Sequence, residues 1–200
     1  MLSVRYEKIS KYWMNKLRSE LPSHLLYHNA DHTVNVVNAC SYLAEKEGLA
    51  SDDKELLLVA AHFHDAGFLV RYQNNEHTGA RIAAETLPKF GYDEDEIRVI
   101  KELIISTDTG IAPQGLMQEI IHDADLNYLG RPDYKKRSDD LRKEMARMGQ
   151  EFSDRDWLEL QYQFLKEFSY CTNAAKQLVQ SGFEKNKRRI EETIKALDPL

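Results

Sequence analysis

Apolar residues recur along this chain at steps of three and four, the spacing that lines one face of an α-helix, and no stretch alternates as a strand does. Ile9, Trp13, Leu17 and Leu21 predict a first amphipathic helix that ends near Pro22. Val36, Cys40 and Leu43 mark a second, closed by Gly48. The third is expected to start at an Asp52–Glu55 capping signal and runs through LLLVAAHFH. That run is apolar on nearly every side, which predicts the central buried helix. Further helices are predicted over 77–89, 93–106, 115–129, 132–148, 153–170 and 173–196. Asp93 with Glu96, and Ser153 with Asp156, supply helix starts, and Pro132 suits a first turn. Gly91, Gly130 and Gly149 stand where C-terminal caps fall. The expected fold class is all-α, a single globular multi-helix bundle of about nine helices, without repeat, low-complexity tract or linker.

Composition agrees with a folded helical chain: 200 residues, 42% hydrophobic and 30% charged, with only 9 Gly and 5 Pro. The net charge of −6 argues against broad attraction to nucleic acid, so a small anion has to be met by local groups. Basic runs at Lys135 to Arg137 and Lys185 to Arg189 are interleaved with acids on helices and read as solvated faces. Cys40 and Cys171 give no disulfide framework, and Cys40 falls on an apolar stripe as a small core residue. The opening MLSVRYEKISKYW is charged throughout, and no apolar run approaches the length of a membrane span. A cytoplasmic protein with no membrane partner is expected; a homodimer is left open.

Candidate chemistry sits on the inward stripes. His32 lies one turn before Val36, and His28 one turn earlier or just before the helix. His64 and Asp65 end the most buried helix. Adjacent helical positions diverge by about 100°, so a shared ion has to lie over the seam between them. Asp125 sits in the stripe Met117, Ile121, Asp125, Tyr128, whereas Asp123, about 200° away, is expected to face solvent or back the site. Any one of these is unremarkable, a core histidine or an aspartate past a helix end. Together, inward imidazoles and carboxylates on three helices leave unpaired buried polar groups unless they share a divalent cation. Glu76 opens the inward row Glu76, Ala80, Ala83, Leu87 and is placed to orient water or a ligand histidine, or to answer a helix dipole. Arg71, Tyr72, Arg81 and Thr107 are candidates for contact with substrate, although an ordinary ion pair also explains Arg81. His62 points elsewhere and reads as structural.

At these positions the chain resembles the HD superfamily of metal-dependent phosphohydrolases, all-helical proteins named for a His-Asp doublet. YHNADHTVNVV, AAHFHDAG and HDADL match its His, His-Asp and Asp blocks in order. The likeness covers roughly residues 24 to 130, with the helices of 132–200 expected to pack on that core as part of one HD-like domain over 1–200. The first block is also similar to that of cyclic-nucleotide phosphodiesterases, in which the second His binds metal and the first is the general acid. Carried over, the resemblance implies His32, His64, Asp65 and Asp125 as metal ligands and His28 as proton donor; helical spacing alone does not rank His32 above His28. NEHTGA is similar to a block in small bacterial members, which supports Glu76. The extra helices of a purine clamp are not found, so cyclic-nucleotide specificity does not follow.

The expected function is metal-assisted hydrolysis of a phosphate mono- or diester in a small phosphorylated substrate, a nucleotide first. Nitrogen ligands favour Mn²⁺, Co²⁺, Fe²⁺, Ni²⁺ or Zn²⁺ over Mg²⁺. Asp65, or Glu76 through a water, would take the nucleophile's proton, and His28 would protonate the leaving group. The segment 66–75 is expected to lie over the site, with Phe68, Arg71 and Tyr72 near the substrate. Two rivals remain: a di-iron oxygenase, which needs His77 and His122 as further ligands, and a non-catalytic binding or regulatory module stabilised by its metal.

Overall fold

The computed structural model describes residues 2–197. Among them are nine α-helices and no strand: α1 (Val4–Glu20), α2 (Ala30–Lys46), α3 (Ser51–Phe63), α4 (Asn75–Thr86), α5 (Glu94–Ile105), α6 (Leu116–Asp125), α7 (Tyr134–Arg147), α8 (Asp154–Glu167) and α9 (Asn173–Leu197). Single 3-10 turns follow α3, α4 and α6, at Ala66–Leu69, Leu87–Phe90 and Leu126–Gly130. These turns account for the tails of the expected 77–89 and 115–129 helices. No helix among the described residues is long and apolar enough to cross a membrane.

As its all-round apolar sequence requires, α3 is the hub. Leu57 through Ala61 and Phe63 are buried, and α1, α2, α4, α5 and α6 pack around them. Trp13 of α1 stacks on Phe63 with ring centroids 3.9 Å apart, and Cys40 of α2 is fully buried, as its stripe implied.

Local chemistry sets where the helices begin. Asn29 caps α2 by accepting from the backbone N–H of Asp31 and His32, which leaves His28 outside the helix and His32 in its first turn. Asp93 and Glu96 form the reciprocal capping box of α5, and Ser153 caps α8. Two expected signals act otherwise. α3 starts after Ala50 with no side-chain cap, because Glu55 turns away to the first helix. Pro132 precedes Asp133, the residue flanking α7, and so stands outside that helix.

The C-terminal helices are joined to the core by buried polar contacts. Asp123, expected to face solvent or to back the site, is fully buried, which removes the solvent-facing alternative. Its carboxylate accepts from the N–H groups of Cys171 and Thr172, each at 2.8 Å, and from the Thr172 hydroxyl at 2.7 Å. Gly130 serves close packing rather than a helix cap: a Cβ on Gly182 of α9 would lie 2.0 Å from its carbonyl oxygen.

At the other end of the bundle Glu55 accepts from the Ser3 N–H and hydroxyl, from Arg5 Nε and from the Tyr92 hydroxyl. Burial works against its charge, but Ser3 and Arg5 outweigh that and hold its carboxyl below the ordinary value. A depressed carboxylate contributes stability above its unfolded pKa and loses it as pH falls through the folded one. Glu55→Gln is therefore expected to lower unfolding stability by about 1–3 kcal/mol at pH 7. Urea melts at pH 7 and pH 3 check this, and the gap should narrow at pH 3.

Candidate metal centre

Three helix boundaries meet at one point. His32 comes from the first turn of α2, His64 and Asp65 from the residues just past α3, and Asp125 from the last position of α6. His64 keeps helical backbone dihedrals and the chain leaves the helical path only at Asp65, so the imidazole and the carboxylate reach toward each other over the seam between the two positions. His64 Nε2 lies 3.2 Å from Asp65 Oδ2 and 3.6 Å from Asp125 Oδ1. His32 Nε2 lies 2.9 Å from Asp125 Oδ1 and 3.5 Å from Asp65 Oδ2, and the two Nε2 atoms are 3.3 Å apart.

These separations have a simple meaning. Ligand atoms about 2.1 Å from one ion are about 3.0 Å apart at right angles and about 3.4 Å apart in a tetrahedron. The five pairs run from 2.9 to 3.6 Å, which matches that spacing, and His32, His64 and Asp125 form a group whose ligand atoms all lie within 4.8 Å of one another, with Asp65 beside the two imidazoles. Tautomer chemistry agrees. His64 Nδ1 donates to the Ala61 carbonyl at 2.8 Å, so neutral His64 carries its lone pair on Nε2, facing the cluster. Asp65 Oδ2 is buried and has no hydrogen-bond donor, an arrangement native cores avoid unless a charge answers it. The residues therefore fit a divalent ion.

Electrostatics say the same. Burial opposes the charge on both carboxylates, yet hydrogen bonds and attraction from His32 and His64 hold the Asp125 carboxyl far below its ordinary value, and the nearby His64, with His28 and His32, holds that of Asp65 below its own. Burial likewise opposes a proton on His64, but Asp65 and Asp125 raise its pKa well above the usual imidazole value. Two buried carboxylates demand positive charge here, and a divalent cation supplies it without protonating the imidazoles.

Beside the cluster a cavity of about 430 Å³ is bordered by His28, Asp65, Tyr72, Glu76, Thr107 and Asp125, among others. His28 is stacked on Phe68, with centroids 4.2 Å apart, so the 66–75 segment does lie over this site. The turn fits there because Gly67 has no side chain: a Cβ would lie 1.9 Å from the Asn75 carbonyl oxygen.

His28 Nδ1 is bonded to Glu144 Oε1, from α7. Glu144 is fully buried, and each of its oxygens accepts twice. Oε2 takes the N–H of Tyr27 at 2.8 Å and of His28 at 3.1 Å; Oε1 also takes the Tyr72 hydroxyl at 3.1 Å. Burial lowers the pKa of His28, but Glu144 and the nearby Asp65 and Asp125 outweigh it and raise it above the ordinary value.

Glu144 escaped the sequence reading because α7 is dense with charge. One signal was available: Tyr134, Ser138, Leu141 and Met145 form its inner stripe, and Glu144 lies on that face. The remaining candidates divide. Tyr72, Glu76 and Thr107 border the cavity, with the Thr107 hydroxyl donating to the Ile104 carbonyl. Arg71 is exposed and does not line it, and Arg81 pairs with Glu85 on the surface of α4. Arg71 therefore stands away from the cavity expected to take substrate, and the Arg81–Glu85 contact is the ordinary ion pair that the sequence also offered for Arg81. His77 is exposed, and His122 stacks on Phe168, so neither joins the ligand cluster.

Comparison with known proteins gives the same picture. Residues 29–126 match the family model of the HD domain. A protein of Clostridium beijerinckii, described only as uncharacterized, is 31% identical over 81 residues, which is 39% of this chain and 51% of that one. The match thus spans about half the length of that curated relative. Among solved structures, a Lactobacillus plantarum protein superposes with a TM-score of 0.71 at 17% identity, covering 96% of this chain and 97% of its own. Bacillus subtilis YpgQ in complex with ADP gives 0.68 at 16%, covering 97% of each. A predicted HD superfamily hydrolase from an uncultured Thermotogales bacterium gives 0.63 at 17%, covering 94% and 92%. At these identities the likeness is one of fold.

If the four side chains share an ion, removing one carboxylate weakens binding strongly. Asp65→Ala and Asp125→Ala are expected to keep less than a tenth of the wild-type metal content after dialysis, and to lose the rise in Tm that added Mn²⁺ gives the wild type. Elemental analysis and thermal melts check both. Wild-type metal content in either variant would remove that residue from the ligand set.

Proposed function

We propose that this chain, a member of the HD superfamily through its domain at residues 29–126, is a metal-dependent phosphohydrolase that cleaves a phosphate mono- or diester, with nucleotides as the first class of substrate. The observation that carries this reading is the opening of two devices onto one cavity: the His32, His64, Asp65, Asp125 cluster and the Glu144-held His28. YpgQ in complex with ADP supports testing nucleotides first.

His32, His64, Asp65 and Asp125 would hold the ion, with the two imidazoles favouring Mn²⁺, Co²⁺, Fe²⁺, Ni²⁺ or Zn²⁺ over Mg²⁺. When bound, such a cation polarises the phosphoryl oxygens and lowers the pKa of water. The chain's own groups do the rest. Water oxygen attacks phosphorus, its proton passing to Asp65, or across a second water to Glu76, while the ester P–O bond breaks. With Nδ1 engaged by Glu144, His28 has Nε2 free to hold the proton that the departing oxygen takes. Glu144 is a positioning residue: it fixes the ring and stabilises the imidazolium through contacts that reach no substrate.

The two rivals are less well supported. A di-iron oxygenase needs further histidines, and His77 and His122 lie away from the cluster. A metal kept only for stability has no use for a histidine held by a buried glutamate at the mouth of the same cavity.

General-acid loss has a signature of its own. His28→Ala is expected to retain metal but lose about 10²–10⁴-fold in kcat on nucleotide and alkyl esters. On p-nitrophenyl phosphoesters, whose leaving group needs no proton, the loss should be much smaller. Glu144→Gln is expected to show the same split at about tenfold. Equal losses on both ester classes would remove His28 from the acid role, and no turnover of any ester by the metal-loaded wild type would remove the hydrolase reading.

A further inference from the structure

A second cavity of about 430 Å³ lies among α7, α8 and α9, bordered only by residues beyond the matched HD domain. Helical spacing explains its lining. Asn186, Arg189, Ile190, Thr193 and Leu197 share one face of α9 at steps of three and four. From α7 come Tyr134, Lys135, Ser138, Asp139 and Arg142, whereas Leu141 and Met145 of the same helix border the metal cavity. Trp157 and Gln161 of α8 border both cavities and form the partition between them. None of His32, His64, Asp65 and Asp125 borders the second cavity, and neither does His28 or Glu144.

Its size and apolar surface suit a small molecule. Trp157 and Ile190 are buried and Leu158 is half-buried, so they offer a firm apolar surface. The volume falls within the range of about 300–1,000 Å³ usual for small-molecule sites.

Most polar groups around that surface are already engaged. Gln161 Oε1 accepts from the Tyr134 hydroxyl at 2.9 Å and from the Ser138 hydroxyl at 3.1 Å. The Asn186 amide donates to the carbonyls of Leu129 at 2.8 Å and Arg131 at 3.2 Å. Lys135 pairs with Asp139 at 2.8 Å; Arg142 pairs with Asp154 at 2.7 Å and donates to the Phe152 carbonyl at 2.6 Å. Arg189 differs. Its carbonyl accepts from the Thr193 hydroxyl, but among the described residues no carboxylate pairs with its guanidinium. Lys135, Arg142 and Arg189 thus face Asp139 and Asp154, and pairing leaves the positive charge of Arg189 unanswered.

We infer that this cavity is a second ligand site, built for a small carboxylic acid with an apolar body. The body lies against Trp157, Leu158 and Ile190, and the carboxylate meets the fork of Arg189, which can donate to both of its oxygens. A neutral analogue forgoes that pairing, and a second negative charge meets only cations that Asp139 and Asp154 already hold. The site stands apart from the hydrolase reading, since it shares no residue with the proposed chemistry.

Calorimetry on the full Mn²⁺-loaded chain tests this with 2-naphthoate as the probe and 2-naphthalenemethanol, the same rings bearing a neutral group, as its control. The acid is expected to bind once per chain with a Kd of about 100 µM or tighter, and the alcohol at least about fivefold more weakly. Arg189→Gln, at an exposed position, should bring the acid within about twofold of the alcohol. Thr193→Trp, which fills the α9 side of the cavity, should weaken both at least about tenfold. Stripping Mn²⁺ with EDTA should change the affinity for the acid by less than about twofold, because no metal ligand borders the cavity. No binding of the acid at about 1 mM, equal binding of acid and alcohol, or an unchanged preference in Arg189→Gln overturns the inference. Loss of binding with the Mn²⁺ also overturns it and places the acid on the metal centre. Should Thr193→Trp lower the Tm, Arg189→Gln decides alone.

Discussion

Two carboxylates that end two different helices, Asp65 after α3 and Asp125 on α6, point at the same pair of imidazole nitrogens, and their charge has to be answered where they meet. Neither has an arginine or lysine among its partners; the nearest polar atoms are those of His32 and His64. In a core where an isolated carboxylate is costly, that leaves two solutions: protons on the histidines or a shared cation. The His64 tautomer, set by the Ala61 carbonyl, and the donorless Asp65 Oδ2 both favour the cation. The rest of the bundle can be read as what holds these helix ends together, with α3 buried on all sides so that its C-terminal end is fixed in space.

The same logic explains why the C-terminal helices belong to the site. Glu144 is buried, accepts four hydrogen bonds and holds His28, so α7 completes a side chain that lies before α2 begins. Asp123, two residues before a ligand, ties the segment ahead of α9 to the core through Thr172. One acid on each face of the α6 end does a different job: Asp125 faces the cavity, and Asp123 anchors the return of the chain.

Much of this was legible in the residues. Helical periodicity placed nine helices to within a few residues, because amphipathic stripes and capping residues are local signals. The inward set of His32, His64, Asp65 and Asp125 stood out because polar groups in apolar stripes need a common explanation. What local signals could not reveal were partners distant in sequence. Asp123 reads as facing solvent or backing the site until Thr172 is brought to it, and Glu144 reads as one more surface charge until His28 arrives from 116 residues away. Glu55 imitates a capping residue but is claimed by Ser3 and Arg5. Arg71, a candidate substrate contact, is exposed away from the cavity, and Arg81 makes with Glu85 the ion pair that its helix spacing allowed.

The account stands on one cation held jointly by nitrogens and oxygens from three helix ends. Crystals of the protein grown with Mn²⁺ and measured for anomalous scattering would locate that ion directly. The account predicts a strong peak about 2.0–2.3 Å from His32 Nε2, His64 Nε2 and one oxygen each of Asp65 and Asp125. A strong peak elsewhere, with these four side chains still bonded only to one another at full Mn²⁺ loading, would contradict it.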